Sequence, residues 1–239
     1  STLAASLVVG ADGSASPTRE LAGLRYTGWP YGQKAVVGNV ATDEPHRNTA
    51  WQRFLGNGPL AFLPLGNGES SIVWTTTPEH ADELTAMDDD AFGAAVTEAF
   101  DATLGNVRPT GPRAAFPLKV QYATEYCAHR VVLAGDAAHT VHPLAGLGVN
   151  LGFADANEIA TRVTQALAEG RDCGDMAVLR RYERARKGEN MGVLMLMDGF
   201  NRVFGADDPW IAEARNAALS LAHRLKPVKH AFMRRAAGL

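Results

Sequence analysis

Two short segments far apart in the chain hold the residue types that could grip a polar ligand. The first is Gly10-Ala11-Asp12-Gly13-Ser14, with Arg19 close behind. The second is Gly135-Asp136-Ala137-Ala138-His139, which runs on through His142, Pro143, Leu144, Gly146, Leu147, Gly148, Val149, Asn150 and Gly152 to Asp155. Each begins where an apolar run of β character stops: Leu7-Val8-Val9 before the first, Val131-Val132-Leu133-Ala134 before the second. A Gly-Asp step at the end of a buried strand sets a carboxylate at the C-terminal edge of a sheet, where open α/β sheets bind ligands. An ionised carboxylate there accepts stronger hydrogen bonds than a neutral oxygen does. Gly146 and Gly148 let main chain approach a ligand with no Cβ in the way. A helix starting near residues 147–150 would aim free N–H groups and the positive end of its dipole at the same place.

These two segments need one sheet to position them. About a hundred residues separate them and do not read as part of that sheet, so the expectation is an inserted second domain. Residues 1–24 read as a strand, an Asp-Gly turn and a short helix with Ser16 as N-cap and Pro17 in its first turn. Residues 25–127 read as strand-rich. A strand is expected at 34–40, and a hairpin at 60–65 and 70–76 around Gly66-Asn67-Gly68, residues that tolerate positive φ. Residues 78–104 read as helical with a break near 88–90. After Gly111-Pro112, the alternation of Ala114, Phe116, Leu118 and Val120 predicts a half-buried strand over 113–124. Residues 128–239 return to the first sheet and then become helical, at 147–169, 175–204 and 209–225. Met191, Leu194, Met195, Leu196, Met197, Phe200 and Phe204 recur at helical spacing, which predicts core more readily than a lipid groove. The fold class expected is α/β with α+β character.

Other chemistries fit less well. Asp136, His139 and His142 are spaced by three and are types that bind zinc or iron. Pro143 and the glycines beyond it argue against a helix presenting all three on one face, and no metal is expected. No Gly-x-Ser-x-Gly elbow surrounds Ser14 or Ser16. Cys127 and Cys173 form no Cys-x-x-Cys pair and fit two buried thiols in a reducing compartment. The 239 residues are 46% hydrophobic and 21% charged, with net charge −3. That composition supports a core and one or two domains. It offers no basic patch interleaved with aromatic residues, so nucleic-acid binding is not expected.

The paired segments resemble the FAD-dependent aromatic-ring hydroxylases of the p-hydroxybenzoate hydroxylase type, and within them most closely the ubiquinone-biosynthesis hydroxylases. Trp51-Gln52-Arg53-Phe54, Gly58-Pro59-Leu60-Ala61-Phe62-Leu63-Pro64-Leu65 and Leu179-Arg180-Arg181-Tyr182-Glu183 extend the resemblance over nearly the whole chain. That family opens with a strand, a Gly-x-Gly-x-x-Gly turn and a helix that cradle the FAD pyrophosphate. Nothing before Leu3 supplies them, so the chain is expected to be an N-terminally truncated fragment, inactive alone and weak in FAD retention. The ubiquinone group usually has Gln between the two glycines where this chain has Leu147.

The resemblance implies a Rossmann-like FAD-binding domain in two pieces, 1–24 and 128–239, around a sheet-based substrate domain at 25–127. It implies that Gly135 and Asp136 hold the ribityl chain, and that Gly146, Leu147, Gly148, Val149 and Asn150 hold the isoalloxazine edge. Pro143 and Leu144 would wall the ring, and Asp12, Gly13 and Arg19 would serve the pyrophosphate side. The implied reaction uses NAD(P)H and molecular oxygen, through a flavin C4a-hydroperoxide, to hydroxylate a polyprenyl-phenol intermediate. A bacterial, cytoplasmic enzyme is implied, peripheral at the inner face of the membrane or served by ubiquinone-biosynthesis partner proteins. Arg215, Arg224, Lys226, Lys229, Arg234 and Arg235 beside Leu221, Leu225, Val228 and Phe232 would suit such a contact, or an exposed cationic helix face. Two alternatives stay open: a hydroxylase of a soluble aromatic acid, for which Arg53 or Arg113 would pair the carboxylate, and a non-catalytic lipid-binding or assembly protein of the same fold.

Overall fold

A computed structural model describes residues 4–141 and 148–204, with side chains through residue 199. The elements in chain order are β1 (Val8–Gly10), α1 (Pro17–Leu21), β2 (Tyr26–Thr42), β3 (Trp51–Leu55), β4 (Gly58–Pro64), β5 (Ser70–Thr76), α2 (Pro78–Ala86) and α3 (Asp89–Ala99). They continue with β6 (Val107–Pro109), β7 (Ala114–Ala123), β8 (Cys127–Ala128), β9 (Val131–Leu133), a 3-10 turn (Gly135–Ala137), β10 (His139–Thr140), α4 (Gly148–Ala168) and α5 (Met176–Phe204). The chain folds into two compact units. One holds the described residues up to Trp29 together with Lys119–Val203, and the other holds Pro30–Leu118. The long strands β2 and β7 each contribute to both.

In the first unit, β9 lies between β1 and β8. It is parallel to β1, pairing Val8 with Val131, Val9 with Val132 and Gly10 with Leu133, and antiparallel to β8. The fully buried Val132 and Leu133 sit in a core with Tyr126, Ala137, Ile159, Leu179 and Tyr182. Among the described residues β1 is the outer strand of this sheet, and Val8 and Val9 are 44% and 47% exposed. On α5, residues 179, 182, 186, 190, 193 and 197 all face inward at helical spacing. Of the Met and Phe stripe, Leu194 and Met197 are core, whereas Met195 and Leu196 are exposed. The side chains of Phe200 and Phe204, the helix expected at 209–225 and the basic C-terminal residues lie outside the described residues.

The second unit is an antiparallel sheet in the order β2-β5-β4-β3, with β6 also on β2. One face is Val36, Val40, Leu60, Phe62, Ile72 and Trp74, and it packs on Ala81 and Leu84 of α2 and Phe92 and Val96 of α3. Local signals account for the elements. Gly68 at φ 88° closes the β4–β5 hairpin. Thr77 and Asp88 cap α2 and α3 through side-chain oxygens, and Asp88 produces the expected break. β7 forms where the alternation predicts a strand, but it is covered at one end only: Phe116 is 56% exposed, and the buried residues are Val120, Gln121 and Ala123. A period of two says which residues share a face, not whether anything covers it. None of the described helices is long and apolar enough to cross a membrane.

Candidate active site

The parallel register of β1 and β9 brings the two polar segments together. Both strands end at the same sheet edge, so residues 10–14 and 135–139 leave it side by side. The Ala134 N–H still donates to the Gly10 carbonyl at 2.9 Å. Beyond it the chain turns at Gly135, whose φ of 58° is left-handed and favours glycine. A Cβ on Gly152 of α4 would stand 3.5 Å from the Gly135 Cα, so the helix packs main chain to main chain against the turn. The first turns of α4, from Gly148, therefore lie at the mouth of the sheet edge. That is where the positive end of a helix dipole favours negative charge.

Asp136 is exposed, and no hydrogen bond to its carboxylate is found among the described residues, while its neighbours are held firmly. Gly135 N–H donates to Asp155 Oδ2 at 3.0 Å, the Ala137 carbonyl accepts from Arg19 Nη1 at 2.9 Å, and His139 Nε2 lies 2.6 Å from Asp155 Oδ2. Among the described residues Asp136 is thus an unengaged acceptor on a fixed main chain. Arg19 is only 2% exposed, and its second fork nitrogen donates to the Ser14 carbonyl at 2.9 Å. The same carbonyl accepts from Gln121 Nε2 at 2.9 Å, and the guanidinium lies 4.4 Å over the Tyr26 ring. Arg19 therefore ties one loop to the other through main chain. Asp12 accepts from the Ser16 hydroxyl at 2.5 Å and the Thr18 N–H at 2.9 Å, capping α1. Slight burial pushes its carboxyl up, but these hydrogen bonds outweigh that and lower it to about 2. Gly13, at φ 83°, is the turn that lets Asp12 fold back.

Beneath the turn is a network that sequence reasoning left unassigned. Asp155 is fully buried and accepts at Oδ1 from Arg186 Nε at 2.8 Å and Asn190 Nδ2 at 3.1 Å. Arg186 Nη2 also donates to Asn190 Oδ1 at 2.9 Å, and Nη1 pairs with Glu189. Burial alone would raise the Asp155 carboxyl, yet His139, Arg186 and the Gly135 N–H hold it below the usual carboxylate range. Burial raises the Tyr126 and Tyr182 phenols, and Tyr182 donates to the Leu133 carbonyl at 2.7 Å. A signal did exist: Asp155 shares the inward face of α4 with Ile159 and Ala166, and Arg186 and Asn190 sit in the apolar stripe of α5. Polar residues at core positions imply partners.

Among the sequence-predicted residues, Asp12, Gly13, Arg19, Gly135, Asp136, Gly148, Val149 and Asn150 are described. Pro143, Leu144, Gly146 and Leu147, with His142, lie outside the described residues. His139 directs Nε2 at Asp155, so that nitrogen is not available to a metal. Arg53 donates to the Ala99 carbonyl, and Arg113 is spent on Asp89 and the carbonyls of Leu84 and Met87 at the end of α2.

Two parallel strands ending on a shared edge, with an exposed carboxylate and a helix N-terminus beside it, suit a nucleotide cofactor. Residues 1–195 match the family described as FAD binding domain. The chain belongs to that family. It is 40% identical over 237 residues to the ubiquinone hydroxylase UbiL of Rhodospirillum rubrum, covering 99% of this chain and 55% of that protein. It is 39% identical over 261 residues to the mitochondrial ubiquinone biosynthesis monooxygenase COQ6 of Xenopus tropicalis, covering 95% of this chain and 56% of that protein. The chain therefore spans little more than half the length of these relatives. The p-nitrophenol 4-monooxygenase PnpA of Pseudomonas putida has the same fold, with TM-score 0.76 at 21% identity over 97% of this chain and 58% of that one.

Proposed function

We propose that the chain is the body of a flavin-dependent monooxygenase that hydroxylates the aromatic ring of a polyprenyl-phenol intermediate in ubiquinone biosynthesis, with NAD(P)H and molecular oxygen as co-substrates. The observation that carries the reading is the paired edge of β1 and β9, with an exposed Asp136 carboxylate whose flanking main chain is anchored. The similarity to ubiquinone hydroxylases supports the substrate class. So does the engagement of Arg113 with the Leu84 and Met87 carbonyls and with Asp89, since a soluble aromatic acid calls for an arginine free to pair its carboxylate.

The residues present fit FAD. Asp136 would accept from ribityl hydroxyls, and Gly148, Val149 and Asn150 would offer the N-terminus of α4 to the anionic edge of the ring. Pro143, Leu144, Gly146 and Leu147 are assigned to the ring's wall and edge on sequence alone. Arg19, Asp12 and Gly13 shape the pyrophosphate side by fixing the loop after β1. Bound FAD would supply the redox and oxygen chemistry; the chain's own residues bind it, orient it and exclude water. The strands and α2–α3 between residues 25 and 127 are assigned to the aromatic substrate, and residues 1–24 and 128–239 to FAD. A polyprenyl tail places the substrate in a bilayer, so contact with the inner face of the membrane or with a delivering partner belongs to the same proposal.

The test is the visible spectrum of protein expressed from its whole reading frame. A bound-flavin spectrum that Asp136→Ala weakens by tenfold or more in FAD affinity is the expected result. A colourless, folded protein would sink the enzyme reading in favour of a lipid-binding or assembly role.

A further inference from the structure

The turn after β9 has an uneven construction. Its residues 135, 137 and 139 are each held by a buried charged side chain, while the residue between the first two, Asp136, faces outward with its carboxylate unengaged among the described residues. Two of those three holds come from one atom. Asp155 Oδ2 accepts from the Gly135 N–H where the chain leaves the strand and lies 2.6 Å from His139 Nε2 where it enters β10. The other oxygen is anchored by Arg186 and Asn190 of α5. One fully buried carboxylate thus receives four hydrogen-bonding partners from the turn and from a second helix.

We propose that Asp155 is a positioning residue: it clamps both ends of the turn from 135 to 139, so that the Asp136 carboxylate is presented in one orientation to the ligand at the sheet edge. This rests on the flavin reading for the identity of that ligand, but the clamp itself does not depend on it. The physical logic is preorganisation. A carboxylate on a mobile turn spends binding energy on ordering the turn, whereas one on a clamped turn does not. Gly135 needs the clamp most, because its left-handed φ and lack of a side chain leave the turn with the greatest conformational freedom to lose. An ionised carboxylate suits this position because each oxygen accepts from more than one donor. An amide offers a single acceptor oxygen and turns two hydrogens toward groups that are themselves donors.

The test compares Asp155→Asn with Val193→Ala in protein expressed from its whole reading frame. Val193→Ala trims a buried apolar side chain on the inward face of α5 and removes no hydrogen-bonding partner of Asp155. FAD affinity, the vibronic shape of the visible flavin band, thermal midpoint and amide exchange are read for each. The expected result is that Asp155→Asn binds FAD roughly ten- to a hundredfold more weakly, in line with a lost charge-assisted bond, with an altered flavin band and at least tenfold faster exchange at Gly135. Val193→Ala lowers the thermal midpoint and leaves FAD affinity within about twofold of wild type. The proposal is overturned if Asp155→Asn keeps wild-type affinity and exchange, or if Val193→Ala weakens FAD equally, since Asp155 would then act through overall stability alone. Should Asp155→Asn not fold, wild-type exchange decides. Gly135 must be protected to the level of Leu133, and exchange at the rate of an open loop amide refutes the clamp. Wild-type protein without flavin defeats the flavin reading, and exchange at Gly135 still settles the clamp.

Discussion

Replacing Arg19 by Met puts a number on the link between the two loops. Arg19 is a buried cation whose side-chain hydrogen bonds among the described residues go to neutral carbonyls, those of Ala137 and Ser14, both at 2.9 Å. Methionine fills much of the stem volume and removes the fork. The Ala137 carbonyl then loses its side-chain donor, about 1–3 kcal/mol for a buried group left unsatisfied. The Ser14 carbonyl keeps Gln121, so its loss is nearer 1 kcal/mol. The stack on Tyr26, a ring that is 53% exposed, adds roughly 0.5–1 kcal/mol. Against these stands the relief of no longer burying a guanidinium, several kcal/mol by general estimates. The two carbonyl dipoles aimed at the charge offset much of that cost in the native protein, and the net expectation is a loss of about 2 kcal/mol. Urea unfolding followed by far-ultraviolet circular dichroism reads it, because α4 and α5 of the same unit dominate the signal. The shift is interpretable if the slope is unchanged. Arg19→Lys supplies the check. If the bonds dominate, Lys falls between wild type and Met. If desolvation dominates, Met exceeds Lys, because an ammonium is more strongly hydrated than a guanidinium. A Met variant as stable as wild type refutes the reasoning.

Three further outcomes are expected. Gly93→Ala places a Cβ 2.4 Å from the Val107 carbonyl oxygen, far inside contact distance; α3 must move off β6, and thermal melting should show a loss of at least 1–3 kcal/mol, on the order of overpacking. Asp12 is held at about 2, below its ordinary value of 3.8, so its stabilisation is fully present above pH 3.8 and lost as pH falls through 2. Acid titration of Asp12→Asn against wild type should therefore show a stability gap that closes between those values; because the group is exposed the gap is small, and one that grows on acidification contradicts the assignment. The Cys127 thiol, buried and pushed up to about 12 mainly by burial and then by Glu183, should resist a neutral thiol reagent in folded protein at pH 7 and react on unfolding; prompt native labelling would contradict this.

Local chemistry was legible in the chain. Ser16 with Pro17, Asp88, and Gly66-Asn67-Gly68 specify helix starts and a hairpin through interactions within four residues, and each element formed where those residues stand. The ends of β1 and β9 were also readable, because an apolar run stopped by glycine needs no partner to be recognised. The same chain could not say how far Val8, Val9 and Phe116 are covered, since coverage of a face depends on what packs there. Nor could it reveal that Arg19 reaches a carbonyl 118 residues away, or that Asp155 gathers Gly135, His139, Arg186 and Asn190 around one buried carboxylate. Caps, turns and runs are set by neighbours along the chain. A buried charge is set by whichever distant donors the packed helices and strands bring within hydrogen-bonding distance of it, and only the tertiary structure decides that.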